Sequence, residues 1–368
     1  MSLKSELEEV RKEIKTDSYP VSIRELTSLY RDGELDIHPE FQRFLRWSLE
    51  QKTKLIESLL LGIPTPSVFF FQRDDGVLDV VDGLQRISTI LHFMGELKDE
   101  SGNKLDPLIL GEAQYLPSLK GKSWNSIDSS TEIGEDIKKF FRAEKMDVKI
   151  LLRESDEQAK YELFQRINTG GTPLSDQEVR NCILIMINRA AYFWMDSLAN
   201  TSDFKLCCPL PDRLTLERYD LELVLRFALL YDINEEEIKE VPDLGQFLTK
   251  EMRHQLGPAG KDLTIIGSVF ERTFQALNSA LGEDALRKFD LMRGKFSGPF
   301  LISAFELIAL GVSYNIDLVE AQGSVWLRSK IMGAWSDRRS EGIYGQGVST
   351  AHRLPKTLAL GRKYFSEV

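Results

Sequence analysis

The fold is decided by residues 80–90, which run Val-Val-Asp-Gly-Leu-Gln-Arg-Ile-Ser-Thr-Ile. An apolar run stops at Asp82-Gly83, and apolar residues then return with the three- and four-residue spacing of a helix that buries one face. The stretch therefore predicts a strand that turns at Gly83 into a helix. The first N–H groups of such a helix lack partners within it and can bind an anion. The apolar residues of the predicted helix are Ile87, Ile90, Leu91 and Met94.

Three polar side chains stand at this junction, and they allow two interpretations. Asp82, Gln85 and Arg86 supply a carboxylate, an amide and a guanidinium, a combination that suits a phosphate and its metal ion. In the plainer interpretation Asp82 only caps the helix and Arg86, four residues later, pairs with it for a few tenths of a kcal/mol. The junction alone does not decide between these two interpretations.

Turn and capping signals extend the prediction on both sides of the junction. A hairpin of residues 68–71 and 77–81 leads directly into Asp82-Gly83. Before it, Ser48 and Gln51 form a capping box that opens a helix ending at Gly62. After it, residues 97–136 have weak periodicity and predict an insertion.

Further along, the sequence predicts a strand and two capped helices. The strand covers residues 148–152, and Ser155 caps a helix that ends at Gly170-Gly171. Ser175 and Glu178 form a second capping box. From about residue 176 onward the pattern is helical throughout.

Two flanking segments accompany the junction. Residues 37–43 run Ile-His-Pro-Glu-Phe-Gln-Arg, and residues 164–175 run Phe-Gln-Arg-Ile-Asn-Thr-Gly-Gly-Thr-Pro-Leu-Ser. Together with Asp82-Gly83-Leu84-Gln85-Arg86, these segments resemble the N-terminal domain of GmrSD-type modification-dependent restriction systems. The resemblance covers about the first 190 residues.

The resemblance implies an α+β fold, with a ParB/sulfiredoxin-like small mixed sheet and helices followed by an all-helical domain. We expect the first domain over residues 1–175 and the helical domain over residues 176–368. The family motif is usually Asp-Gly-Gln-Gln-Arg, whereas this chain has Leu84 in place of the first glutamine. Leu84 either removes a ligand contact or is a harmless exchange at a packing position.

The chemistry of the motif residues, together with the resemblance, indicates candidate site residues. Asp82, Gln85 and Arg86 are the expected catalytic residues, and Asp82 is the expected ligand of Mg²⁺ or another divalent ion. We expect Arg43 either to join Arg86 in neutralising phosphate oxygens or to stack on Trp47 and shield the core. Gln42 or Gln85 is expected to orient a base or an attacking water. The expected nucleotide-binding residues are Gln42, Arg43, Gly83, Ser88, Thr89, Asn168 and Gly171. From physics alone, the Gly170-Gly171 loop is equally well explained as a turn that needs positive φ angles.

Composition and charge limit the class of protein. With 42% hydrophobic and 28% charged residues, and without an apolar run near the roughly 18 residues of a membrane span, we expect a soluble, cytoplasmic protein without a membrane partner. The net charge of −10 argues against indiscriminate coating of nucleic acid. The three cysteines fit neither a disulfide framework nor a C-x-x-C metal site.

The charge is unevenly distributed, because residues 321–368 hold eight Lys or Arg against three Asp or Glu. This segment is either a basic surface for a DNA backbone or a face docked on the acidic remainder of the protein. The residues expected to bind DNA are Arg338, Arg339, Arg353 and Lys356.

The remaining motifs exclude common chemistries and leave three hypotheses. No G-x-x-x-x-G-K-[ST] phosphate loop is present, and none of the four histidines has a metal-site spacing. The first hypothesis is a nucleotide-dependent NTPase or nuclease of restriction or anti-phage defence, with an NTP as substrate or effector and DNA as target. The second is a sensing module that works with a separate nuclease chain, and the third is an interaction protein with a degenerate pocket. The sequence leaves open whether the chain forms a homodimer.

Overall fold

The computed structural model describes residues 15–37, 47–99, 101–155, 175–239, 241, 243–336 and 350–367. The chain forms two compact units, Met1–Pro173 and Leu174–Val368. We call them the N-terminal unit and the helical unit. The boundary expected from the sequence lies at residue 175.

A five-stranded mixed sheet organises the N-terminal unit. In the order β1-β5-β3-β4-β2, β3 pairs antiparallel with β4 and parallel with β5, β1 pairs antiparallel with β5, and β2 pairs parallel with β4. The predicted hairpin is therefore present as β3–β4. The strands are β1 (Thr16–Ser22), β2 (Leu35–Asp36), β3 (Val68–Gln72), β4 (Leu78–Asp82) and β5 (Lys145–Leu151).

Among the described residues, four helices accompany this sheet, and local capping explains where two of them begin. Ser22 accepts a hydrogen bond from the Glu25 amide at the start of α1, and Ser48 and Gln51 form the predicted capping box at the start of α2. Gly62, with φ of 65°, follows the end of α2 as expected. The helices are α1 (Ile23–Arg31), α2 (Leu49–Leu60), α3 (Leu84–Phe93) and α4 (Glu135–Ala143).

The core of the N-terminal unit lies where α2 and α3 pack. Ile56 of α2 and Ile87 and Ile90 of α3 are fully buried together with Val68 of β3. Burying a side chain of this size stabilises the fold by about 1.5–3 kcal/mol. This packing fixes the end of β4 and the start of α3 relative to each other.

The insertion predicted over residues 97–136 is mostly irregular and is held to α2 by hydrogen bonds. The buried Glu57 carboxylate accepts from the amides of Tyr115 at 2.6 Å and Leu116 at 2.7 Å, and Thr53 Oγ1 accepts from the Gly111 amide at 2.8 Å. The segment contains a single 3₁₀ turn, Pro117–Leu119, among its described residues.

The helical unit begins with the second predicted capping box, at Ser175 and Glu178. Its first seven helices are α5 (Asp176–Ala199), α6 (Ser202–Cys207), α7 (Asp212–Leu216), α8 (Tyr219–Leu230), α9 (Glu235–Lys239), α10 (Leu244–Gln255) and α11 (Leu263–Leu281). They are followed by α12 (Ile302–Ala304), a π-helical turn (Phe305–Ala309), α13 (Leu310–Tyr314), α14 (Ile316–Ala334) and α15 (Thr350–Ser366).

The expectation of an all-helical second domain needs one correction. The helical unit also contains an antiparallel ribbon of β6 (Lys288–Asp290) and β7 (Lys295–Ser297). These strands have three residues each, so they are too short to give a clear alternating pattern in the sequence.

Glycine allows α13 and α15 to cross in backbone contact. A Cβ added at Gly311 would lie 2.7 Å from the carbonyl carbon of Gly361, and one added at Gly361 would overlap the Leu307 carbonyl oxygen. Leu354, Leu358 and Phe365 of α15 are buried around this crossing. The C-terminal helix is therefore part of the core of the helical unit.

Within the described ranges, no single helix is long and apolar enough to cross a membrane, although the consecutive pair Ile302–Tyr314 and Ile316–Ala334, bent by 115°, meets that test together. All three cysteines are unpaired, and burial raises the pKa of the Cys207 thiol to about 12.

Candidate functional site

Gly83 sets the geometry of the strand-to-helix junction. It lies between the last residue of β4 and the first residue of α3, with φ of 97° and ψ of 11°. A Cβ at this position would lie 2.5 Å from Val68 Cγ1. Both the left-handed backbone and the contact with β3 therefore require glycine.

Asp82 ends β4 and pairs with Arg86 rather than capping α3. The helix N-cap is Gly83, which has no side chain to offer. Asp82 Oδ2 accepts a hydrogen bond from Arg86 Nη2 at 2.9 Å, and the Asp82 side chain remains 36% exposed. The capping part of the plainer interpretation is thus wrong, whereas its i,i+4 ion pair is present.

Arg86 is held by three acceptors. In addition to Asp82, its guanidinium donates to the carbonyl oxygens of Pro66 and Ser67, in the loop before β3. The Arg86 side chain is only 12% exposed, and burial lowers its pKa although Asp82 acts in the opposite direction. These contacts suit a residue that positions Asp82 and this loop better than one that directly binds phosphate.

Gln85 connects α3 to the chain that enters α2. Its Oε1 accepts a hydrogen bond from the Trp47 amide at 3.4 Å, and its side chain is half-buried. Trp47 is the first described residue after the segment that contains Gln42 and Arg43. Those two predicted residues lie outside the described residues, as do Asn168 and Gly171.

Ser88 and Thr89 point into the interior. Each is 2% exposed, and Thr89 Oγ1 donates to the Gln85 carbonyl at 2.7 Å. The sequence predicted one buried face on α3, but all residues from Ile87 to Leu91 are buried because α2 and the sheet cover more of the helix. The hydroxyl groups of Ser88 and Thr89 are therefore not exposed beside the Asp82 carboxylate.

The basic residues near the C-terminus differ in how far their side chains are exposed. Arg353 donates to both oxygens of Glu306, at 2.8 and 2.9 Å, and its side chain is 11% exposed. Lys356 is exposed on α15, whereas Arg338 and Arg339 lie outside the described residues. Arg353 therefore stabilises the packing of α15 and is not part of an open basic surface.

The partner of Arg353 could not be found from the sequence. Glu306 lies within the apolar stretch Phe305–Ala309, is 1% exposed, and is also 3.5 Å from Arg226 Nη1. A lone glutamate among apolar residues carries no spacing signal. Its pairing depends on a π-helical turn and two distant arginines that only the fold brings together.

No group of three or more His, Cys, Asp or Glu side chains in the described part of the chain could hold a metal ion. Asp82 is a single carboxylate beside a helix N-terminus. Mg²⁺ is commonly bound by one or two carboxylates together with substrate phosphates, so this donor set fits a magnesium–phosphate ligand.

Comparison with known protein families gives a match over the N-terminal part of the chain. Residues 23–185 match the family described as GmrSD restriction endonuclease, N-terminal domain. This segment is therefore similar to that domain family. The matched GmrSD N-terminal domain runs from the start of α1 into α5 and covers less than half of the chain. No curated protein and no solved structure matches the chain.

Leu84 stands where the resemblance leads us to expect the first glutamine of the motif. The Leu84 side chain is half-buried and packs against the core of the N-terminal unit. This contact supports the interpretation that the position packs in this chain.

Proposed function

We propose that this chain is a nucleotide-dependent, DNA-targeting protein of a restriction-type defence system. The family match supports the defence role, since the family is described as a restriction endonuclease domain. The observation that carries the site assignment is the fixed junction of β4 and α3, where an exposed carboxylate stands beside a helix N-terminus.

In this proposal the nucleotide phosphates lie at the start of α3. Asp82 would hold a divalent ion, and Gln85 would contact the base or orient a water. Arg86 holds Asp82 in place and keeps the loop at Pro66 and Ser67 against α3. A divalent ion held there would supply positive charge to neutralise the phosphates.

A second function is favoured by the contacts of Arg86. Phosphoryl transfer needs cations at the transferring group, and Arg86 is already engaged by three acceptors. A module that binds nucleotide or DNA without hydrolysis, and works with a separate nuclease chain, would not need Arg86 at the phosphate. Phosphate release by purified protein separates the two functions.

The test is a screen of the four ribonucleoside triphosphates with Mg²⁺, measuring thermal shift and released phosphate with and without plasmid DNA. A ligand present at a hundred times its Kd stabilises the fold by about 2.7 kcal/mol, so a site without turnover is also detected. Asp82→Asn and Gln85→Ala should each abolish the shift. Asp74→Asn, in the exposed turn of the same hairpin, and Gln114→Ala, in the exposed part of the insertion, should leave it unchanged.

The proposal predicts stabilisation by at least one nucleotide that depends on Asp82 and Gln85. Release of phosphate supports the NTPase, and stabilisation without release supports the sensing module. Absence of any shift with all four nucleotides, with or without DNA, would exclude both functions for this site.

A further inference from the structure

The ribbon β6–β7 in the helical unit presents two apolar side chains at its tip. Leu291 is 56% exposed and Met292 is 98% exposed, in the turn between the two strands. The turn is ordered by Asp290, whose Oδ1 accepts from the amides of Met292 at 3.0 Å and Arg293 at 3.1 Å. The apolar tip is therefore held in one shape before any partner arrives.

The two faces of the ribbon differ in character. Phe289 pairs with Phe296, and their rings lie 4.9 Å apart on the face that packs inward. Because side chains alternate along a strand, Lys288 and Lys295 lie on the opposite face. Both lysines are exposed.

The charge of the ribbon contrasts with that of the whole chain. Residues 288–297 contain three basic residues, Lys288, Arg293 and Lys295, against Asp290, in a protein of net charge −10. Asp290 pairs across the ribbon with Lys295 and lies 3.6 Å from Arg293, so it offsets one of the three positive charges and leaves the ribbon with a net charge of +2. A small positive face beside an apolar tip is complementary to a phosphate backbone beside stacked bases.

We infer that the β6–β7 ribbon is a DNA-binding element, in which Lys288 and Lys295 contact phosphates and Met292, with Leu291, inserts as an apolar wedge between base pairs in the minor groove. Proteins that bend DNA through the minor groove commonly use Leu, Ile or Met in this way. The inference rests on the proposed DNA-targeting function and assigns that function a contact surface. It places DNA on a surface that the sequence did not predict.

The inference is tested with two double variants of the full chain. Lys288→Gln with Lys295→Gln removes the phosphate contacts, and Leu291→Ser with Met292→Ser removes the wedge. The matched control is Lys250→Gln with Arg328→Gln, which removes two exposed positive charges from other surfaces of the helical unit. All four ribbon side chains are exposed, so each variant should melt within about 2 °C of the original protein.

Binding of a duplex is followed by fluorescence anisotropy at several salt concentrations, and base unstacking by 2-aminopurine fluorescence. The lysine variant should weaken binding roughly 10- to 60-fold at about 0.1 M salt and lower the slope of log K against log salt by about 2. The wedge variant should keep the salt slope and lose the 2-aminopurine signal. The control should change the affinity by less than about threefold.

Three results would overturn the inference, and they are distinguishable. If the original protein binds DNA and both ribbon variants bind equally well, the ribbon assignment fails while the DNA-targeting function stands. If the original protein binds no duplex, the DNA-targeting function fails and the ribbon assignment fails with it. If the ribbon variants lose binding only to vesicles of phosphatidylserine and phosphatidylcholine, the element docks on a membrane surface instead.

Discussion

Two arginine–carboxylate pairs, one in each unit, differ in how far the carboxylate is exposed. At the start of α3, Asp82 is 36% exposed and shares Arg86 with two backbone carbonyls. In the helical unit, Glu306 is 1% exposed and is contacted by Arg226 and Arg353. The first arrangement leaves a carboxylate open to a ligand, and the second uses its charges for packing. Exposure of the carboxylate, and not the residue types, separates a candidate site from an internal ion pair.

The largest expected effect is the loss of the buried carboxylate. Glu306→Gln leaves Arg226 and Arg353 without their shared charge partner, and breaking a buried pair typically costs about 3–5 kcal/mol. Urea denaturation followed by tryptophan fluorescence measures the free energy of unfolding. Glu320→Gln, which breaks an exposed pair with Arg272, should cost less than about 1 kcal/mol. Equal losses in the two variants would contradict the comparison.

The second effect concerns the backbone of the junction. Gly83→Ala places a methyl group against Val68 and forces a left-handed conformation on alanine, so we expect a loss of about 2–4 kcal/mol. Gly95→Ala has a similar φ of 70° but nothing within 4 Å of its Cβ, and it should cost about 1 kcal/mol. A loss at Gly83 no greater than that at Gly95 would show that the contact with Val68 relaxes.

The third effect tests the positioning role of Arg86. Arg86→Met keeps the apolar stem and removes the hydrogen bonds to Asp82, Pro66 and Ser67, so unfolding should become easier by about 1–2 kcal/mol. Arg31→Met, which breaks an exposed pair with Glu96, is the control and should cost less than about 0.5 kcal/mol. If Arg86 served only as a phosphate ligand, its replacement would leave the free energy of unfolding unchanged.

The smallest effect on stability belongs to the proposed metal ligand. Asp82→Asn should change the free energy of unfolding by less than about 0.5 kcal/mol, because the carboxylate is partly exposed and solvent screens its pairing. The same variant should lose nucleotide-dependent thermal stabilisation. Asp74→Asn should show neither change, and a large destabilisation by Asp82→Asn would assign the residue to structure.

Local signals predicted the parts of the fold that depend on neighbours in sequence. The capping boxes at Ser48 and Ser175 involve residues three positions apart, and both helices begin where predicted. The hairpin before Gly83 is equally local. The mixed sheet and the helical region that follows it are confirmed, whereas the relation to ParB-like proteins stays a prediction.

Contacts between distant residues could not be predicted. The basic neighbours of Arg353 predict a contact with DNA. In the structure Arg353 instead pairs with Glu306, which lies 47 positions away in the sequence. The burial of Ser88 and Thr89 depends on how α2 and the sheet cover α3, which periodicity within one helix does not reveal. The hydrogen bond between Gln85 and Trp47 likewise joins segments 38 positions apart.

The glycine crossing of α13 and α15 determines how the end of the chain can be manipulated. Removing α15 to ask whether the basic segment binds DNA would expose the Leu307 carbonyl group and the apolar side chains against which Leu354, Leu358 and Phe365 pack. A shortened protein would then be degraded or precipitate, and lost binding would be mistaken for a lost contact. Replacing the charge of Lys356, which is exposed on α15, tests whether the basic segment binds DNA and leaves the packing of the helix intact.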